Sequence, residues 1–231
     1  GAGGGPRLST LAWDPSTSDH FLCVAARGMG KTTTLRTVMA GISDLGREQA
    51  RIVMIDHRRA HLGTVKQDML AAYSHSAPQT EKVLADAVTT LRQRLPSAEI
   101  SPEQLARRDW WDGPEIYLVI DDYDLVADNV LHPLIELIPH ARDIGMHLVI
   151  ARKAGGFNRA AFGPVLSAIR DSQPCVVVLG ADKDDGPFFG IKPAPHPASG
   201  PLPGRGMWHD DGSTIGTCQV AVPGADLEVE P

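Results

Sequence analysis

Along this chain, short apolar runs bounded by turn residues alternate with stretches in which apolar residues recur at helical spacing. The runs cover 20–26, 51–57, 115–122, 147–153 and 174–181 and are rich in Val, Ile and Leu. Unbroken apolar runs of this kind mark strands buried on both faces. Their alternation with helices predicts an α/β fold, a mostly parallel central sheet flanked by helices. Residues 31–45, 64–72, 79–95, 102–108 and 130–144 carry the helical pattern, with Pro133 and Pro139 interrupting the last of them. The stretch 182–205 is crowded with Pro and Gly and reads as an extended surface loop. After it, 206–209 and 216–222 flank Asp210-Asp211-Gly212, the turn signal of a C-terminal β-hairpin.

The first strand runs into the first helix through Cys23-Val24-Ala25-Ala26-Arg27-Gly28-Met29-Gly30-Lys31-Thr32. Glycines at such a junction let backbone N–H groups approach phosphates, a lysine reaches the β- and γ-phosphates, and the next hydroxyl ligates Mg²⁺. Residues 27–33 (Arg27, Gly28, Met29, Gly30, Lys31, Thr32 and Thr33) are therefore the candidate ATP-binding loop. The full pattern G-x-x-x-x-G-K-[ST] asks for glycine at position 25, where this chain has Ala25.

A second half of the site lies at the end of the third run, where Ile116-Tyr117-Leu118-Val119-Ile120 delivers Asp121-Asp122. A carboxylate at the C-terminal end of an apolar strand is the other magnesium partner of phosphate-loop ATPases. Thr32 and Asp121 are accordingly the candidate metal residues, with ATP and Mg²⁺ as cofactors. The following position, normally a glutamate that polarises the attacking water, is Asp122. It is the candidate catalytic residue and is one methylene short. A misplacement on the order of 1 Å can cost ~10²-fold in rate. Read alone, Asp121-Asp122-Tyr123-Asp124 is equally an acidic turn capping the next helix.

The remaining composition narrows the class. With 22 Lys and Arg against 28 Asp and Glu the net charge is −6, and there is no basic run, which argues against a nucleic-acid partner. Three cysteines without C-x-x-C spacing indicate neither a disulfide framework nor a zinc site and fit a cytosolic chain. No apolar run approaches the ~20 residues of a membrane helix. Residues 1–12 read as a glycine-rich linker or expression scar, 13–223 as one ATPase domain and 224–231 as a tail.

These motifs resemble the FtsK/SpoIIIE-type ATPases, and more closely the C-terminal-most (third) ATPase domain of the EccC motors of type VII secretion. The resemblance is carried from Trp13 onward by 51–59 (RIVMIDHRR), 91–96 (LRQRLP), 101–124 (SPEQLARRDWWDGPEIYLVIDDYD), 141–153 (ARDIGMHLVIARK) and 184–190 (DDGPFFG). It implies a RecA-like P-loop core inside a chain of several ATPase domains, held on the cytoplasmic side of the inner membrane with the membrane components of a secretion complex. It also implies docking of the C-terminal signal of small WXG100-class substrates. Ala25, Asp122 and Arg152-Lys153, the last where DNA-pumping relatives carry Thr-Gln, depart from the active pattern.

Three functions remain open at this point. The chain is a nucleotide-stabilised docking and regulatory module with weak hydrolysis, a competent ATPase activated by an arginine from a neighbouring domain, or a pseudo-ATPase platform that binds no nucleotide. Leu62, Val65, Met69 and Leu70, at helical spacing, are either an apolar docking stripe or core. Trp110-Trp111 is either a partner patch or an anchor for 101–113. Asp56-His57-Arg58-Arg59 is either a contact at the carboxyl edge of the sheet or a solvated turn. His57, His61 and His75 read as surface or core residues and not as metal ligands.

Overall fold

The computed structural model describes residues 9–210 and 212–223. The elements run in chain order β1 (Phe21–Ala25), α1 (Lys31–Asp44), β2 (Ala50–Ile55), β3 (Leu70–Ser74), α2 (Ala77–Arg92), α3 (Pro102–Arg107), β4 (Glu115–Ile120), α4 (Asp128–Leu131), α5 (Ala141–Ile144), β5 (Met146–Lys153), α6 (Phe157–Ala160), α7 (Pro164–Asp171), β6 (Cys175–Leu179), β7 (Arg205–Asp210) and β8 (Ser213–Gln219). They form one eight-stranded sheet in the order β3-β2-β4-β5-β1-β6-β7-β8. Pairing is parallel from β3 across to β6. β7 and β8 then add antiparallel, which is the predicted C-terminal hairpin. Residues 1–8 of the expected linker 1–12, the expected tail 224–231 and Asp211 of the expected hairpin turn lie outside the described residues.

Strand alternation sorts the core into two apolar layers. Leu22 and Val24 of β1, Leu118 and Ile120 of β4 and Val176 and Val178 of β6 face one layer, covered by Leu84, Val88 and Leu91 of α2 and Val165, Leu166 and Ile169 of α7. Phe21 and Cys23, Tyr117 and Val119, and Cys175 and Val177 face the other, covered by Leu35, Met39 and Ile42 of α1. Cys23 and Cys175 of the central strands are small buried apolar groups, as read from the sequence.

Three expectations need correction. The predicted helix over 64–72 is a turn followed by β3, paired in parallel with β2. Val65 and Met69 are buried in the α1-side core, while Leu62 stands exposed, so these positions form no single docking stripe. The helix predicted over 130–144 is broken into α4, two 3₁₀ turns at His132–Leu134 and Ile138–His140, and α5. Pro133 and Pro139 each sit inside one of those 3₁₀ turns, where the missing N–H costs least. The 182–205 stretch has no long element, but it is not purely surface. Phe188 and Ile191 bridge to each other and are buried, with Phe188 against Phe157.

Trp110 and Trp111 serve as anchors. Trp110 Nε1 donates to the Arg94 carbonyl at 2.7 Å, and Trp111 Nε1 donates to the Asp143 carbonyl at 2.8 Å. The Arg94 guanidinium lies 4.1 Å from the Trp111 ring centre, a cation–π contact. Together they fasten the α3 segment to the turn after α2 and to the end of α5.

Candidate nucleotide site

The phosphate loop is built by backbone shape. β1 ends at Ala25, Ala26 N–H donates to the Leu179 carbonyl at 2.9 Å, and Met29 N–H closes a turn to the Ala26 carbonyl at 3.1 Å. Gly28 (φ 78°) and Gly30 (φ 103°) take the left-handed conformation that glycine adopts without strain and from which anion-binding backbone nests are built. Gly30 caps α1, with Thr34 N–H and Oγ1 both donating to its carbonyl. Ala25, where the pattern asks for glycine, is an ordinary strand residue buried on the α1 side. Its methyl occupies core and the loop does not need glycine there.

Four of the predicted residues come together. Lys31 Nζ donates to Asp121 Oδ1 and lies 2.9 Å from Asp122 Oδ1. Thr32 Oγ1 faces Asp121 Oδ2 at 3.4 Å. Asp122 Oδ2 is held by Arg58 Nε at 2.7 Å, and Asp122 itself sits at φ 51°, ψ 56°. A non-glycine residue in that region is strained by an amount on the order of 1–3 kcal/mol and persists where surrounding contacts over-determine it. Of the other predicted loop residues, Arg27 is exposed, Met29 lies over Gly180, and the Thr33 carbonyl lies 3.1 Å from Thr37 Oγ1.

Electrostatics follows from this packing. Burial alone would raise the Asp121 carboxyl, but His61 and Lys31 outweigh it and hold the group down to about 2. Burial works against the Lys31 ammonium too, yet the hydrogen bonds it donates to Asp121 and Asp122 hold it above the ordinary lysine value.

His61 is the residue that sequence reasoning missed. It is fully buried and its Nε2 donates to Asp121 Oδ2 at 2.9 Å. Its position is fixed by Asp56, which accepts from Ala60 N–H at 3.0 Å, His61 N–H at 2.7 Å and Tyr73 Oη at 2.8 Å. The signal lay in Asp56 at the end of β2, a residue type that ties down the following turn through its own side chain. The 56–59 segment resolves accordingly: Asp56 is a buried turn-former, His57 Nε2 meets Thr80 Oγ1 at 2.9 Å, and Arg58 reaches the site.

The acceptor positions of Asp121 bear on magnesium. Oδ1 accepts from Lys31 and from Asp122 N–H at 2.8 Å, and Oδ2 from His61 and, at long range, Thr32. A carboxylate offers about four acceptor positions, and in this arrangement a donor faces each. A magnesium-bound water does not fit on Asp121 while His61 and Lys31 hold it.

A glycine-shaped loop at the N-terminus of α1, its lysine, and a strand-end aspartate two strands away from β1 define a phosphate-loop ATPase of the open α/β type. No protein-family model matches the chain. It is 39% identical over 190 residues to the ESX secretion system protein EccC of Thermomonospora curvata, covering 80% of this chain and 14% of that one. It is 38% identical over 206 residues to the ESX-4 secretion system protein EccC4 of Mycobacterium tuberculosis, covering 87% of this chain and 16% of that one. The structure of T. curvata EccC (ATPases 2 and 3) in complex with a signal sequence peptide superposes with a TM-score of 0.84 at 34% identity, over 94% of this chain and 39% of that one. The chain belongs to the EccC family of type VII secretion ATPases, FtsK/SpoIIIE type, as one of its ATPase domains. It spans about a seventh of the length of these curated relatives.

Proposed function

We propose that this chain is a nucleotide-stabilised docking and regulatory domain of a type VII secretion motor, with weak hydrolysis of its own. The observation that carries the reading is the state of Asp122. Both its carboxylate oxygens are engaged, Oδ1 by Lys31 and Oδ2 by Arg58. A general base needs a free oxygen within hydrogen-bond reach of the attacking water. Asp122 keeps only the acceptor positions that Lys31 and Arg58 leave, and its side chain is one methylene short of the glutamate it replaces. Single-turnover measurement with labelled ATP is expected to give less than about 10⁻² s⁻¹ for the chain alone, against the ~1–10³ s⁻¹ of working enzymes. A rate near 1 s⁻¹ would favour a competent motor domain.

The docking half of the reading rests on a groove on the sheet face opposite α1. It runs between α2 and α4, has a volume of about 360 Å³, and is lined by Glu81, Leu84, Ala85, Asn129, Val130 and Pro133. It continues into a lobe of about 210 Å³ that includes His57 and Leu125. An apolar floor with a polar rim suits an amphipathic helix laying apolar anchors at i, i+3 and i+4 into it. The proposed occupant is the C-terminal signal helix of a WXG100-class substrate, by analogy with the peptide complex of the T. curvata protein. His57 in the lobe adjoins Arg58, which holds Asp122, so docking and nucleotide site share one turn. Fluorescence anisotropy with the labelled signal peptide is expected to show saturable binding that Val130→Asp removes. Unchanged binding by the variant excludes this groove. The same reading places the domain last in a series of ATPase domains, on the cytoplasmic side of the membrane, bound to neighbouring domains of the motor and not to nucleic acid.

A further inference from the structure

We propose that His61 takes the place of the magnesium shell at Asp121, so that this chain holds its nucleotide without a divalent cation. The inference rests on the nucleotide-binding reading above and concerns how that site is neutralised. In phosphate-loop ATPases the strand-end aspartate and the loop hydroxyl hold the metal. Here Asp121 Oδ2, the oxygen that Thr32 faces, accepts a hydrogen bond from His61 Nε2 at 2.9 Å. A carboxylate only accepts, so Nε2 carries the hydrogen and acts as the donor that a metal-bound water would otherwise be.

The histidine is built in and has little room to leave. Its side chain is 0% exposed, and its own backbone N–H is held by Asp56 at 2.7 Å. Asp56 is 1% exposed and is held in turn by Ala60 N–H and by Tyr73 of the edge strand β3. Lys31 is different, because its ammonium sits on a flexible four-carbon stem. When it turns to a β- or γ-phosphate it releases Asp122 Oδ1 and, of Asp121, only Oδ1, to which Asp122 N–H still donates. Oδ2 stays with His61. The positive charge facing the phosphates then comes from Lys31, while Arg58 stays on Asp122.

The test is calorimetric titration of the chain with ATP, once in excess Mg²⁺ and once in EDTA, for the wild type, His61→Ala and His61→Gln. Wild-type affinity is expected to differ by less than about threefold between the buffers. His61→Ala, with Oδ2 open, is expected to bind at least about tenfold more tightly in Mg²⁺ than in EDTA, a size typical of groups that tune a metal site. His61→Gln keeps an N–H donor at similar reach and is expected to behave as the wild type. A tenfold or greater loss of wild-type affinity in EDTA overturns the proposal, as does an His61→Ala protein that responds to Mg²⁺ no more than the wild type. Should His61→Ala fail to fold by circular dichroism, the wild-type and His61→Gln comparisons decide. Absence of binding in both buffers removes the nucleotide reading and this inference together, an outcome distinct from magnesium-dependent binding.

Discussion

Lys31→Ala is expected to lower the affinity for ATP by about 30-fold or more, since truncating one partner of a desolvated charge contact costs about 2–5 kcal/mol and each 1.4 kcal/mol is tenfold. Among the described residues no second cation is placed to substitute. Arg27 is exposed on the loop and Arg58 is committed to Asp122. The same substitution leaves Asp121 and Asp122 adjacent with one neutraliser fewer, so melting should fall too, though His61 and Arg58 still hold one oxygen of each. Calorimetry on folded variant and wild type checks the binding effect. Equal affinities would remove Lys31 from the site and, with it, the assignment of the loop.

The largest effect on stability is expected from Gly206→Ala. Gly206 of β7 pairs with Leu179 of β6, and an added Cβ runs into the Val178 carbonyl oxygen and to 2.8 Å from Leu179 Cδ2. The obstacle is backbone in a central ladder and cannot turn aside. A loss of about 3 kcal/mol or more is expected, above the ordinary cost of overpacking. For a chain of this size that lowers Tm by roughly 6–12 °C. Gly41→Ala is the control. It lies within α1 with no atom within 4 Å of the new Cβ, and should gain about 0.5–1 kcal/mol. Differential scanning fluorimetry separates the two, and a Gly206→Ala protein as stable as the wild type would mean the β6–β7 register is wrong.

The parts of this fold that were legible in the sequence are those fixed by local continuity. β1, the glycine loop and α1 are contiguous, and Asp121 is covalently attached to the run that buries β4, so their chemistry survives without any knowledge of packing. β3 was not legible. Ala71 and Ala72 favour helix, and Leu62, Val65 and Met69 fall at helical spacing, but pairing with β2 overrides that preference. His61 was hidden for a related reason. Its meeting with Asp121 spans 60 residues and depends on a turn shaped by Asp56 and Tyr73, and no spacing rule records that geometry. Asp122 was recognised as a short substitute for glutamate, but its capture by Arg58 needed the turn after β2 to be placed.

The hairpin also does something to the phosphate loop. Gly204 N–H donates to the Met29 carbonyl at 2.9 Å, Val220 N–H donates to the Gly204 carbonyl at 2.9 Å, and Thr37 of α1 holds the Ala221 carbonyl at 2.6 Å. The backbone beyond β8 is thereby stitched to both the loop and the helix that follows it. Tension applied to the chain past residue 223 arrives at Met29 and Thr37 before it reaches the core of the sheet. The shape of the phosphate loop therefore depends on the hairpin being in place.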